Sequence, residues 1–113
     1  MTAGNASQIS DGAAAVVVAS EEKAAELGIA PIARIVDSCT AGVEPKEIFH
    51  APAVGIAMLL ERTGLTVADI DLFELNEAFA AQVLENIGHL GIAEDRLNIC
   101  GGGVALGHPI GAS

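Results

Sequence analysis

Two short runs hold the residue types that could do chemistry together. One is Asn76-Glu77-Ala78-Phe79; the other is the glycine-rich stretch from Gly101 through Gly107-His108-Pro109 to Ser113. The first sets a side-chain amide at the mouth of an expected helix, and the second sets an imidazole on a glycine-rich turn. An amide and an imidazole converging on one point can hold a carbonyl oxygen as it gains negative charge. Each residue also has a plainer reading. Asn76 sits where a helix N-cap belongs, and Asn is a preferred cap. The two readings are compatible, because a residue at the end of a strand also faces the edge where α/β proteins place ligands. His108, between a flexible glycine and a stiffening proline, also fits an ordinary loop histidine.

Other chemistry-bearing residues carry less. Gly102 and Gly107 have phosphate-loop spacing, but His108 stands where that loop needs lysine, and Leu106 occupies the third glycine of a dinucleotide fingerprint. Close backbone packing is the better account of the glycines. Cys100 lies near His108 in sequence and is expected to be a small buried residue, as free cysteines often are. Cys39 has no signal beyond a strand position. His50 and His89 have no partner at metal-ligand spacing and read as surface or loop residues. Glu77 either supports the backbone beside Asn76 or simply favours a helix N-terminus.

The elements that must position these residues alternate. Residues 13–19, Val-rich and apolar, read as a buried strand after the turn Asp11-Gly12. Ser20 caps a helix over 21–27 that Gly28 stops. Residues 32–40 read as a second strand. Pro52 opens a helix that runs to Thr63 and ends at Gly64. Thr66 to Asp69 has the pattern of a capping box. Residues 71–75 read as a strand, 77–90 as a helix with Phe79, Val83, Ile87 and Leu90 on one face, and 96–100 as a last strand. Strand and helix in turn indicate an α/β layer.

The chain has 113 residues, enough for one small domain, and 51% are hydrophobic, ample for a core. Three Phe and no Trp or Tyr leave Ala and Val to supply the volume, which implies closely spaced elements. A net charge of −10 with five scattered basic residues argues against nucleic acid, whose phosphates need a basic patch, and against an anionic membrane surface. Two cysteines without a CxxC suggest no disulfide framework, so a reduced, cytoplasmic setting is the default. No signal peptide or apolar run of about 18 residues is visible.

The two runs, in this order, resemble the thiolase family, and the opening Thr2-Ala3-Gly4-Asn5-Ala6-Ser7 with Asp11-Gly12-Ala13-Ala14 is similar to that family's approach to the same region. The resemblance covers essentially the whole chain. It implies a thiolase-like layered α/β fold, seen in part. Residues 1–113 are expected to be a partial C-terminal domain lacking its final segment and the N-terminal domain. It implies that Asn76 holds a water that helps His108 form an oxyanion hole for a thioester carbonyl. It further implies that His108 pairs with a nucleophilic cysteine, since an imidazole beside a thiol favours the reactive thiolate. That nucleophile and a second catalytic cysteine are expected outside these residues. At position 100 the family commonly carries an amide. Where the family often reads Gly-x-Gly-Pro, this chain reads Phe49-His50-Ala51-Pro52; by resemblance this segment lies near the acyl pocket, with Ile48, Ala78 and Phe79 as candidate lining.

The function implied is an acyl-CoA acyltransferase, cleaving 3-ketoacyl-CoA with coenzyme A or condensing two acyl-CoA molecules through a cysteine acyl-enzyme. Coenzyme A would be co-substrate, no metal or redox cofactor is needed, and intact members are expected to be homo-oligomers. The negative charge does not exclude coenzyme A, since one local basic group or helix N-terminus can hold a phosphate. No basic cluster for it is visible here, so those contacts are expected elsewhere. Two other classes compete: a truncated, non-catalytic module that binds a partner or acyl-CoA, and a ketoacyl synthase relative. Asn76-Glu77-Ala78-Phe79 with Gly107-His108-Pro109 favours thiolase over the synthase.

Overall fold

The computed structural model describes residues 1–112; Ser113, the last residue of the glycine-rich run, lies outside them. Four helices form: α1 (Glu21–Glu26), α2 (Ala51–Thr63), α3 (Ala80–Leu90) and the single turn α4 (Gly103–Leu106). Their limits follow local chemistry. The Ser20 side chain accepts the Lys23 N–H at 3.1 Å, and Gly28, at φ 66°, turns the chain out of α1. A 3-10 turn (Pro45–His50) leads directly into α2, and Gly64 ends it at φ 72°. Thr66 donates both its N–H and its hydroxyl to Asp69 Oδ2, at 2.8 and 2.6 Å. These bonds, the hydroxyl's first, hold the Asp69 carboxyl below the usual carboxylate range.

The core lies where α3 meets the segments on either side of it. Val83 and Ile87 of α3 bury against Phe73 and Ile92, with Ile56, Leu75 and Leu97 packed around them. Asn86, also on this face, is completely buried.

The third long helix begins at Ala80 rather than Glu77, so Asn76 is not its N-cap. Phe79 holds that position with extended backbone, at φ −142° and ψ 138°. The opening segment explains this. Ala6 pairs antiparallel with Phe79; the Ser7 N–H donates to the Ala78 carbonyl at 3.0 Å, and the Ala80 N–H donates to the Asn5 carbonyl at 2.9 Å. Residues 78 and 79 are therefore drawn straight, and Asn5 satisfies the first N–H of α3.

The four expected strands do not assemble into a sheet among the described residues. Residues 71–75 and 96–100 meet in one parallel bridge, Phe73 with Leu97. Residues 13–19 and 32–40 form neither helix nor strand and have no ladder partner among the described residues, and Val17 and Ile32 are 99% and 105% exposed. Apolar runs of this type are patterned for burial on both faces, which needs neighbouring strands and helices. The exposed surface is 8224 Å², against about 5,800 Å² for a compact monomer of this mass. The radius of gyration, 16.1 Å, likewise exceeds the roughly 13 Å of a compact chain. Residues 37–39 are nonetheless tied to α2. Arg62 donates to Asp37 Oδ1 at 2.7 Å and to the Ser38 carbonyl at 3.1 Å, and the Cys39 thiol donates to the Gly55 carbonyl at 3.3 Å.

Candidate active site

The site is built on the bridge between Phe73 and Leu97. The Phe73 N–H donates to the Arg96 carbonyl at 2.8 Å, and the Asn98 N–H donates to the Phe73 carbonyl at 2.9 Å. The next step is made by a side chain. Asn98 Oδ1 accepts the Leu75 N–H at 2.8 Å, and Asn98 Nδ2 donates to the Leu75 carbonyl at 2.8 Å. A planar amide offers one donor and one acceptor, as a peptide group does. Asn98 thus fixes the backbone immediately before Asn76.

Asn76 and His108 come together. The Asn76 amide nitrogen lies 3.2 Å from His108 Nδ1 and 3.3 Å from Nε2, so it straddles the two ring nitrogens rather than lying in line with either. The contact holds the ring's position without selecting a tautomer. Asn76 is exposed and His108 half-buried.

Both residues are braced. Glu77 Oε1 accepts from Asn98 Nδ2 at 3.0 Å, and Oε2 accepts the Val104 N–H at 3.1 Å, at the start of α4. A Cβ at Gly102 would collide with this carboxylate, and one at Gly103 would stand 3.1 Å from the Glu77 carbonyl oxygen. Past α4, Gly107 turns at φ 100°, and a Cβ there would collide with Ser10 Oγ. The His108 N–H donates to the Gln8 carbonyl at 3.3 Å. The lead-in segment and the glycine run thus lock together beneath the imidazole. A cleft of about 370 Å³ opens beside Asn76, lined by Glu74, Leu75, Asn98, Leu106 and the glycines at 101–103 and 107.

Residues 29–113 match the profile of the C-terminal domain of thiolase. The chain belongs to the thiolase family. It is 52% identical to an acetyl-CoA acetyltransferase of Yarrowia lipolytica, covering all of this chain and 28% of that one. The dimeric peroxisomal thiolase of Saccharomyces cerevisiae superposes with a TM-score of 0.96 at 50% identity, over 99% of this chain and 29% of that one. A thiolase of Ascaris suum, solved in complex with coenzyme A, superposes with a TM-score of 0.90 at 41% identity, over 99% and 29%. The fold is therefore thiolase-like, and the α/β class holds at that level. The chain spans about 29% of the length of the curated relatives it matches.

In this thiolase segment the candidate pocket residues lie around the Phe49–Phe79 ring contact rather than at the cleft beside Asn76. Ile48 is exposed on the 3-10 turn; Phe79 packs its ring 5.4 Å from that of Phe49; Ala78 is half-buried and held by Ser7. None of the three lines the cleft beside Asn76. Cys100 is exposed, not buried. The reason is the reversal at Asn98, φ 45°, closed by the Gly101 N–H donating to the Asn98 carbonyl at 2.8 Å, which turns position 100 outward. His50 has partners its sequence position did not reveal: Glu85 Oε1 at 2.9 Å and the His89 ring at 4.4 Å. Among the described residues no cluster of three or more His, Cys, Asp or Glu is arranged to hold a metal. No described helix is long and apolar enough to cross a membrane.

Sequence reasoning missed Asn98 and Asn86. Asn86 left a signal, an amide at helical spacing from Val83 on an otherwise apolar face. Asn98 left only a polar residue inside an expected strand.

Proposed function

We propose that these residues supply the amide–imidazole part of the active site of an acyl-CoA acyltransferase in fatty acid metabolism. The intact enzyme would cleave a 3-ketoacyl-CoA with coenzyme A, or condense two acyl-CoA molecules, through a cysteine acyl-enzyme. The observation that carries this reading is the contact of Asn76 with both ring nitrogens of His108, in a chain of the thiolase family. His108 takes the proton of a cysteine thiol and leaves the nucleophilic thiolate. Asn76 and the imidazole then stabilise the oxyanion that forms as the thiolate adds to the thioester carbonyl. The cysteine comes from outside these residues: the Cys39 thiol is engaged at α2, and Cys100 does not line the cleft. Coenzyme A serves as co-substrate, and thioester exchange calls for no metal or redox group. The Ascaris suum complex supports the coenzyme A assignment, and the dimeric yeast enzyme supports a homo-oligomer. We place the enzyme in the cytoplasm on the default for free thiols, and neither nucleic acid nor membrane is a proposed partner.

The test is to graft residues 2–113 into a homologous thiolase and assay thiolysis of acetoacetyl-CoA. Turnover that His108→Ala abolishes is expected. A folded, inactive graft would overturn the reading. So would turnover by the isolated chain that Cys100→Ser removes, because Cys100 would then be the nucleophile.

A further inference from the structure

We propose that Asn98 and Glu77 are positioning residues that set the separation of Asn76 and His108; the catalytic consequence rests on the acyltransferase reading above. The connection is continuous in hydrogen bonds. Asn98 grips both backbone polar groups of Leu75, one residue before Asn76, at 2.8 Å each. The same Nδ2 donates to Glu77 Oε1 at 3.0 Å. Glu77 Oε2 takes the Val104 N–H at 3.1 Å and thereby anchors α4, whose end leads through Gly107 to His108. One side chain is thus clamped to the backbone just before the amide, and the other joins it to the helical turn that leads to the imidazole.

The residue types are matched to the task. Asn98 adopts φ 45°, the left-handed region that Asn tolerates better than most side chains. Asp there would lack the donor needed by Leu75 and would face the Glu77 carboxylate with like charge. Gly would accept the backbone turn but provide no clamp. Glu77 must be acceptor at both oxygens, one for an amide and one for a backbone N–H, which a carboxylate alone among side chains of this length provides. Gly102 leaves the space that the carboxylate fills.

Two variants test this in the intact thiolase carrying these residues. Asn98→Gly retains the turn and removes the clamp. Glu77→Gln retains the shape and replaces one acceptor with a donor. Misplacing reacting groups by about 1 Å costs on the order of 100-fold in rate. Asn98→Gly is therefore expected to lower kcat about 100-fold while KM changes by less than about threefold, and Glu77→Gln to lower kcat about tenfold. Crystal structures of both variants should show the Asn76 amide beyond hydrogen-bonding reach of the His108 ring, about 3.5 Å. A lower melting temperature with kcat and this separation unchanged would make the pair merely structural and overturn the proposal. Should the parent enzyme show no turnover, the acyltransferase reading fails, and the separation alone decides the positioning role: unchanged in the variants, it overturns it. Should Asn98→Gly fail to fold, Glu77→Gln decides by the same measurements.

Discussion

Asn86, buried on the flank of α3, accepts the Ala53 N–H of α2 at 2.7 Å and so caps one helix from the side of another. Ala53 is the third residue of α2 and follows Pro52, which has no N–H of its own. Asn86 Nδ2 donates to the Phe49 carbonyl at 2.6 Å and to the Gln82 carbonyl at 2.7 Å. One amide therefore joins α3, the start of α2 and the 3-10 turn before it. Asn86→Leu conserves volume but leaves the Ala53 N–H and the Phe49 carbonyl without this partner. A buried group left unpaired costs about 1–3 kcal/mol, so the variant should lose roughly 2 to 4 kcal/mol in chemical denaturation of the intact protein. A loss below about 1 kcal/mol would show that these groups find other partners.

Gly102 and Glu77 should be energetically coupled. At φ −144° the glycine is in extended backbone that any residue can adopt, so its requirement is for space. A methyl group would land on the Glu77 carboxylate, and that side chain is held by Asn98 and Val104. Overpacking of this kind costs about 1–3 kcal/mol. Gly102→Ala is expected to cost about that much beside Glu77 and less than about 0.5 kcal/mol in a Glu77→Ala background, as neighbours sharing one space are non-additive. Equal cost in both backgrounds would refute the coupling.

The parts of the fold legible in sequence are those set by neighbouring residues. Ser20, Gly28, Pro52 and Gly64 mark helix limits through caps and a left-handed stop, and Thr66 to Asp69 closes on itself. What was not legible depends on distant partners. Nothing within residues 76–90 announces that Ala6 will draw Phe79 straight and delay α3 to Ala80. Nothing near Asn98 announces that its amide will stand in for a peptide group. The apolar runs at 13–19 and 32–40 read as buried strands because their composition is that of buried strands, yet pairing is a property of two segments. The meeting of Asn76 with His108 was legible through resemblance; composition and spacing left the cap and loop-histidine readings open, and the geometry removes the cap.

Residues 1–113 expressed alone should self-associate. Val16, Val17, Val18, Ile32, Ile35 and Val36 are all largely exposed on segments that form neither helix nor strand. Unpaired apolar strand edges are templates for pairing with another chain. Sedimentation should show oligomers or aggregates whose fraction rises with concentration, and thermal melting should be broad. A monomer at high concentration with a sharp cooperative melt would contradict this.

His108→Ala should damage acyl transfer more than Asn76→Ala in the intact enzyme. The imidazole is assigned two tasks, activating the thiol and holding the oxyanion. The amide is assigned the second task and the placing of the ring. Losing one oxyanion donor typically costs about 100- to 1000-fold in rate. Removing the imidazole adds the loss of thiolate at neutral pH, so its deficit should shrink as the assay pH approaches the ordinary thiol pKa, about 8.5. The Asn76→Ala deficit should show no such recovery. Acyl-enzyme formation measured against pH in both variants separates the two roles. Small, equal effects at every pH would sink both assignments. Asn76 is not the cap of α3, so its variant should also keep the parent melting temperature within a few degrees. A large fall would mean that the amide acts through the fold, and the rate loss would then say nothing about the oxyanion.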